Sequence, residues 1–418
     1  MPRPHRVPPP AGRAGARHNS RQPLCHKSIH SQIEVLMSDF YTAPVLDRNH
    51  VPGELVRMRP AFVAQLPGAV AAWQIVYVSR DSQGALIPAS GIVIIPDTDT
   101  GPEAMLVYYP AFKGLGGPCA PSRSLVVGAD PDTADIAVLA EALRRGWVVA
   151  VPDGECLGLT GMGPHTFLAA RAGGQIVLDL ARAARLVPDL AGDDAGDSEK
   201  ARFPLLAWGY ADGGRAVAAA GELHAEYAPE LDLRGLCAGA VVSDLAAVAH
   251  TVATGAYSAL GVAGVIGLAR AYPHLPLLDV LTEEGRELVA HADSLTVEHL
   301  LDWYRQPLAH WCRRPDPWND AVWRWVLAEE TLAHTAPTVP MRLYHGVEDQ
   351  IVPVTAGRRT MIAYLQRGAD VSWREYNCGH LATATEAHAD AFAHLGETLS
   401  APTGDGHEPM PCADTARA

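Results

Sequence analysis

The chain has 418 residues, 48% of them hydrophobic but only 6% aromatic, with 38 glycines and 33 prolines. It is long enough to bury a large core, and this mix suits short helices joined to strands by tight loops. A formal charge of −14 argues against a nucleic-acid backbone as partner, which calls for a concentrated basic surface. No run approaches the roughly 20 apolar residues of a membrane helix, the best being Ala259 to Ala269, and the cysteines are too few to build a disulfide scaffold in a chain this size.

Residues 1–38 are locally basic and proline-rich without periodicity, and are expected to form a flexible tail. Arg3, Arg6 and Arg13 imitate a basic leader, yet no apolar stretch follows them, so no signal peptide is evident. Strands are expected at Val56–Met58, Ala72–Ser79 and Gly91–Ile95, the last two joined by the polar turn Asp81-Ser82-Gln83-Gly84. Ala104–Tyr109 reads as a buried strand, Ala134–Arg145 as a helix and Trp147–Val151 as the next strand. Helix Gly174–Leu186, strand Pro204–Trp208, helix Arg215–Ala225 and strand Leu236–Val242 continue the alternation, with an acidic loop at Asp189–Lys200. This rhythm predicts an α/β fold with a mostly parallel central sheet and helices on both faces.

Between Ser243 and Glu330 the rhythm breaks into helices, expected near Leu260–Tyr272, Leu281–Ala292, Val297–Trp303 and Asp320–Leu327. A helical insertion after a sheet strand is either a cap over a site or an extra packing layer, and its place among the motifs below favours the cap. Strand Met341–His345, helix Thr355–Gly368, strand Val371–Tyr376 and helix Thr385–Leu399 then restore the pattern. The expected organisation is tail 1–38, core 39–242, cap 243–330, core 331–399 and tail 400–418.

Leu205 to Gly214 has the form of a nucleophile elbow: an apolar strand, a tight turn flanked by Gly209 and Gly213, and then a helix. At its tip the Gly-x-Ser-x-Gly pattern carries Ala211 in place of serine. The backbone amide of Asp212 is the expected oxyanion donor, and a second donor is expected from the glycine-rich segment 108–117. Lys113, in that segment, is either an attractor of acidic substrate or a solvated side chain. Asp349 lies in a loop after one strand, and His380, in Asn377-Cys378-Gly379-His380, follows the next. The order of nucleophile position, acid and histidine is that of an α/β-hydrolase, with His380 as general base and Asp349 orienting it.

The chain resembles the secretory lipase family over roughly residues 39–412. The resemblance rests on Phe40-Tyr41, Pro52-Gly53, Arg57 with Arg59-Pro60, Cys119-Ala120-Pro121-Ser122, Ala150-Val151-Pro152-Asp153 and Val177 to Ala183, with the elbow, Asp349 and His380 in family order. It implies an α/β-hydrolase with a helical cap, acting on triacylglycerols or other carboxylic esters and exported from the cell. The family's serine maps to Ala211, its acid to Asp349 and its base to His380. It also implies disulfides Cys119–Cys312 and Cys378–Cys412, with free buried thiols as the alternative.

An alanine methyl neither attacks a carbonyl nor forms an acyl-enzyme, so the resemblance implies an esterase scaffold with ester hydrolysis absent or severely impaired. The alternatives are a ligand-binding pseudoenzyme, or a lyase or cyclase using His380 and Asp349 for proton transfer. Asp153 and Glu155, after a core strand, are candidates for polar substrate contacts or for loop capping, and Tyr109, Leu268 and Tyr272 are further lining candidates. Cys156 has no adjacent base, and Asp212 is misplaced for direct attack. No His-Glu-x-x-His run or phosphate-loop pattern is present, so no metal or nucleotide cofactor is expected. The expected partner is an apolar small molecule, not nucleic acid, without a stable membrane span.

Overall fold

In the computed structural model, residues 40–128, 133–191 and 203–401 are described. Strands β1 (Leu55–Ala61), β2 (Ala69–Arg80) and β3 (Leu86–Pro96) form an antiparallel meander. Strands β4 (Ala104–Tyr109), β5 (Trp147–Pro152), β6 (Leu205–Tyr210), β7 (Leu233–Gly239), β8 (Met341–Gly346) and β9 (Val371–Tyr376) run parallel to one another. The nine make one sheet in the order β1-β2-β3-β5-β4-β6-β7-β8-β9, with β3 antiparallel to β5.

Strand pleating explains the two cores. Ile92, Leu106, Val149, Leu206 and Trp208 face one layer of helices, while their neighbours Val93, Val107, Val148, Leu205 and Ala207 face the other. With both faces covered, β4, β5 and β6 are buried at every position, which is why they read as unbroken apolar runs and not as alternating ones. Their residues are worth about 1.5–3 kcal/mol per large buried side chain.

Helices α1 (Pro121–Val127), α2 (Ala134–Arg144), α3 (Ala170–Ala184) and α4 (Asp212–Tyr227) connect the first parallel strands. After β7 come α5 (Leu245–Thr251), α6 (Ser258–Ala271), α7 (Glu283–Ala290), α8 (Val297–Trp303), α9 (Leu308–Trp311) and α10 (Ala321–Glu329). Starts in this stretch are set by side-chain caps: Asp244, Thr282, Thr296 and Asp320 each accept a backbone N–H of the turn they open. Helices α11 (Val354–Gln366), α12 (His380–Glu386) and α13 (His388–Ser400) complete the order. The single helix expected over Thr385–Leu399 is thus two, interrupted at Ala387, which is fully buried.

Each parallel strand relevant to the site ends at the same edge of the sheet. Ala211 follows β6, the segment from Pro110 follows β4, and the loops carrying Asp349 and His380 follow β8 and β9. No described helix is long and apolar enough to cross a membrane.

Candidate active site

Strand β6 ends at Tyr210, and α4 begins at Asp212, leaving Ala211 alone to reverse the chain. Its backbone sits at φ 52°, ψ −111°, a region that costs a residue with a Cβ on the order of 1–3 kcal/mol. Two close approaches make this sharp turn possible. A Cβ on Gly209 would strike the carbonyl of Gly213, and one on Gly213 would strike the carbonyl of Tyr109. Glycine is therefore required on both sides of the strained alanine.

The first turn of α4 is anchored by Arg215, which is almost wholly buried. Its guanidinium donates to the carbonyls of Leu168 (2.9 Å), Val242 (2.6 Å) and Glu330, and to the Glu330 carboxylate at 2.9 Å. That carboxylate also accepts the Ala170 amide and the Tyr272 hydroxyl, both at 2.8 Å. One buried ion pair thus ties the elbow helix to the start of α3 and to the helical stretch after β7.

Asp349 and His380 meet. His380 Nδ1 lies 2.7 Å from Asp349 Oδ2, while Asp349 Oδ1 accepts the amides of Ile351 and Val352, each at 2.8 Å. A second histidine, His345, reaches the same carboxylate: its Nε2 is 3.4 Å from Asp349 Oδ2 and 2.9 Å from the Val352 carbonyl. A carbonyl only accepts, so this Nε2 carries a proton, while Nδ1 is buried with no hydrogen-bond partner among the described residues. Burial alone would raise the Asp349 pKa, but the bonds from His345 and His380, the His380 charge and the Val352 amide outweigh it. They hold the carboxyl well below the ordinary carboxylate range. The Tyr210 hydroxyl donates to the His380 carbonyl at 2.5 Å, fixing the start of α12 to the end of β6. His345 was not singled out from sequence; its place at the end of β8, four residues before Asp349, was the available signal.

Ala211, Asp212 and His380 share the wall of one cavity of about 210 Å³. The remainder is almost entirely apolar, including Phe112, Phe167, Leu268, Val265, Trp318 and Trp323. The segment after β4 forms part of this wall through Ala111 and Phe112. Among the described residues, the N–H groups of Ala111, Phe112 and Asp212 have no backbone hydrogen-bond partner. The segment is held rigidly from both sides. Leu115 N bonds Leu295 O at 2.8 Å, and Val297 N bonds Lys113 O at 2.9 Å. Lys113 Nζ is 2.5 Å from Asp135, which also accepts the Tyr108 hydroxyl at 2.6 Å. Lys113 is therefore committed to an internal ion pair.

The other sequence candidates lie elsewhere. Asp153 is buried among Ser90 Oγ (2.5 Å), Ser122 Oγ (2.6 Å) and Ser122 N (2.7 Å), away from the cavity wall. Glu155 and Tyr109 line a separate chamber of about 10 Å³ behind the elbow. Tyr272 is turned to Glu330, whereas Leu268 is in the main wall. Trp318 and Trp323 were missed, because wall and core aromatics look alike in a sequence.

The expected Cys119–Cys312 disulfide is not formed: both are free thiols. Cys119 Sγ points to the Leu295 carbonyl at 3.6 Å, while Cys312 is engaged through its backbone in a bridge to Leu281. Burial pushes the two thiols up to about 11 and about 12 respectively. Cys378 is also free, its sulfur 3.3 Å from Thr383 Oγ1, and its expected partner Cys412 lies outside the described residues. Burial raises Cys156 to about 12, which keeps it a protonated and unreactive thiol.

Residues 129–405 match the family model described as secretory lipase. The chain belongs to the secretory lipase family. Among its relatives, this family member is 25% identical over 383 residues to a secreted triacylglycerol lipase of Malassezia furfur, covering 86% of this chain and 75% of that one. It is 28% identical over 388 residues to a probable inactive lipase of Mycobacterium tuberculosis, covering 87% and 82%. Its fold is similar to that of a solved structure of Candida antarctica lipase A, with a TM-score of 0.76 at 20% identity over 87% and 86% of the two chains.

Proposed function

We propose that this secretory lipase family member binds apolar acyl esters in a hydrolase site that lacks its nucleophile. Ala211 stands where the serine of a hydrolase would stand, His380 is the base and Asp349 its orienting acid. The amides of Asp212 and of Ala111 or Phe112 are the oxyanion donors. The helices between residues 243 and 330 act as the cap, since α6, α8 and α10 supply much of the apolar wall. The observation that carries the reading is the strained backbone of Ala211 in the same cavity as a His380 already paired with Asp349. Positive φ alone does not set Ala211 apart, since Cys156, Leu168, Ala240 and Ala333 share it; its place beside His380 in one cavity, at the tip of a strand-turn-helix, supports the reading. With a methyl at the tip, no acyl-enzyme forms, and the protein is a ligand-binding pseudoenzyme toward esters.

The test compares this chain with Ala211→Ser on medium-chain aryl esters. The serine form is expected to gain at least about a thousandfold in kcat/KM, and His380→Ala in that background to abolish the gain. A folded but inactive serine form would sink the reading. The intact His380–Asp349 pair also supports a second one, proton transfer by a lyase or cyclase. Turnover of a non-ester carbonyl substrate by the alanine form, lost on changing His380, would favour it.

A further inference from the structure

The amides read as oxyanion donors come from separate segments, Asp212 at the head of α4 and Ala111 or Phe112 after β4. One buried side chain reaches both. His165 borders the small chamber behind the elbow, not the main cavity. Its Nε2 faces Asp212 Oδ2 at ion-pair distance, 3.9 Å, and its ring stacks on Phe112 with centroids 6.4 Å apart and planes 17° from parallel. Phe112 stacks in turn on Phe167, centroid to centroid 3.9 Å. The histidine is itself fixed. Its backbone N–H donates to the Leu115 carbonyl at 2.9 Å, and its Nδ1 to the Glu155 carbonyl at 2.8 Å. A carbonyl only accepts, so Nδ1 carries a proton and Nε2 is the atom left for Asp212. The Glu155 carboxylate does not compete for the ring, since Thr166 Oγ1 (2.5 Å) and Ser82 Oγ (3.1 Å) donate to it. A Cβ on Gly154 would come within 2.8 Å of His165 Cε1, so the ring is seated against a position that requires glycine.

We propose that His165 is a positioning residue of the oxyanion hole: through Asp212 on one side and Phe112 on the other, it sets the spacing of the two donor segments without touching the ligand. The proposal rests on the reading of those amides as donors. Donors displaced by a fraction of an ångström still admit a neutral ester, whose carbonyl oxygen carries little charge. They stabilise less of the negative charge that develops on that oxygen as the carbonyl is attacked. Loss of the brace therefore lowers turnover and spares ground-state binding.

Ala211→Ser in the full chain supplies the turnover that reads this out, with kcat expressed per site labelled by a fluorophosphonate. In that background His165→Phe keeps a ring against Phe112 but offers nothing to Asp212. Its kcat on medium-chain aryl esters is expected to fall at least about tenfold, with KM within about twofold. Asp212→Ala removes the carboxylate and keeps the backbone amide, and a similar loss is expected. Combined, the two are expected to cost no more than about twice either alone, where independent effects would multiply to about a hundredfold. His165→Gln, which still offers an N–H at the reach of Nε2, is expected to retain kcat within about threefold. A kcat unmoved by His165→Phe, a loss carried by KM, or losses that multiply overturns the proposal. If His165→Phe does not fold, Asp212→Ala decides: a lowered kcat at constant KM supports the brace, and an unchanged kcat overturns it. An Ala211→Ser form without turnover would instead overturn the reading of the donors beneath it.

Discussion

Asp349 lies among two backbone amides and two imidazoles, each group aimed at a particular oxygen. The tip of the elbow is held just as firmly, by paired glycines and the buried Arg215–Glu330 pair, yet it presents only a methyl group. One region has its geometry and its functional groups; the other has its geometry alone. The contrast teaches that backbone architecture and reactive chemistry are separable. The turn is specified by Gly209, Gly213 and Arg215, none of which senses whether residue 211 carries a hydroxyl.

Three perturbations break or sharpen that contrast. The largest effect is expected at the anchor of the elbow. Glu330→Ala leaves the Arg215 guanidinium buried without its counter-charge, and chemical denaturation should report a loss of about 3–5 kcal/mol. A loss below about 1 kcal/mol would mean that the Glu330 carboxylate is not what holds Arg215, and that its three carbonyl contacts suffice.

An intermediate effect is expected at the acid. Because the folded-state pKa of Asp349 is depressed, its contribution to stability is present above the unfolded value of 3.8 and is lost as pH falls through the folded one. Asp349→Asn should therefore cost about 2 kcal/mol near neutral pH, and the difference between the two proteins should shrink on acidification below the unfolded value. A pH-independent difference would contradict an ionised Asp349 held by His345 and His380.

The smallest effect is expected at the tip itself. Ala211→Gly relieves the positive-φ strain but adds freedom to the unfolded chain, for a net stabilisation of about 1 kcal/mol or less. A marked loss of stability would show that the alanine methyl packs productively and that the turn has been rebuilt around it.

Much of this organisation was legible in the chain. β4 and β9 coincide with the expected runs because each is a short apolar or β-rich segment bounded by turn residues. The belonging to the secretory lipase family was legible in the Cys119 to Ser122, Ala150 to Asp153 and elbow segments. Other features were hidden for physical reasons. The break at Ala387 is slight, since that residue keeps right-handed helical dihedrals and bonds to Thr383 and Ala391, and no glycine or proline announces it. Asp153 looks like a site acid because it follows a strand, but its partners Ser90 and Ser122 are remote in sequence and claim it for the core. Helix α5, which supplies Leu245 and Val248 to the cavity, is too short to leave a clear periodic signature. The Cys119–Cys312 pairing implied by resemblance gave way to separate backbone and thiol contacts.

The most direct measurement is covalent labelling by an alkyl fluorophosphonate, read by intact-mass and peptide mass spectrometry. If the elbow and the His380–Asp349 arm form one site short of a hydroxyl, this chain stays unlabelled at residue 211. Ala211→Ser is then labelled there, and the labelling is lost when His380 is also replaced. A folded serine form that resists the reagent, or labels equally well without His380, would contradict that account.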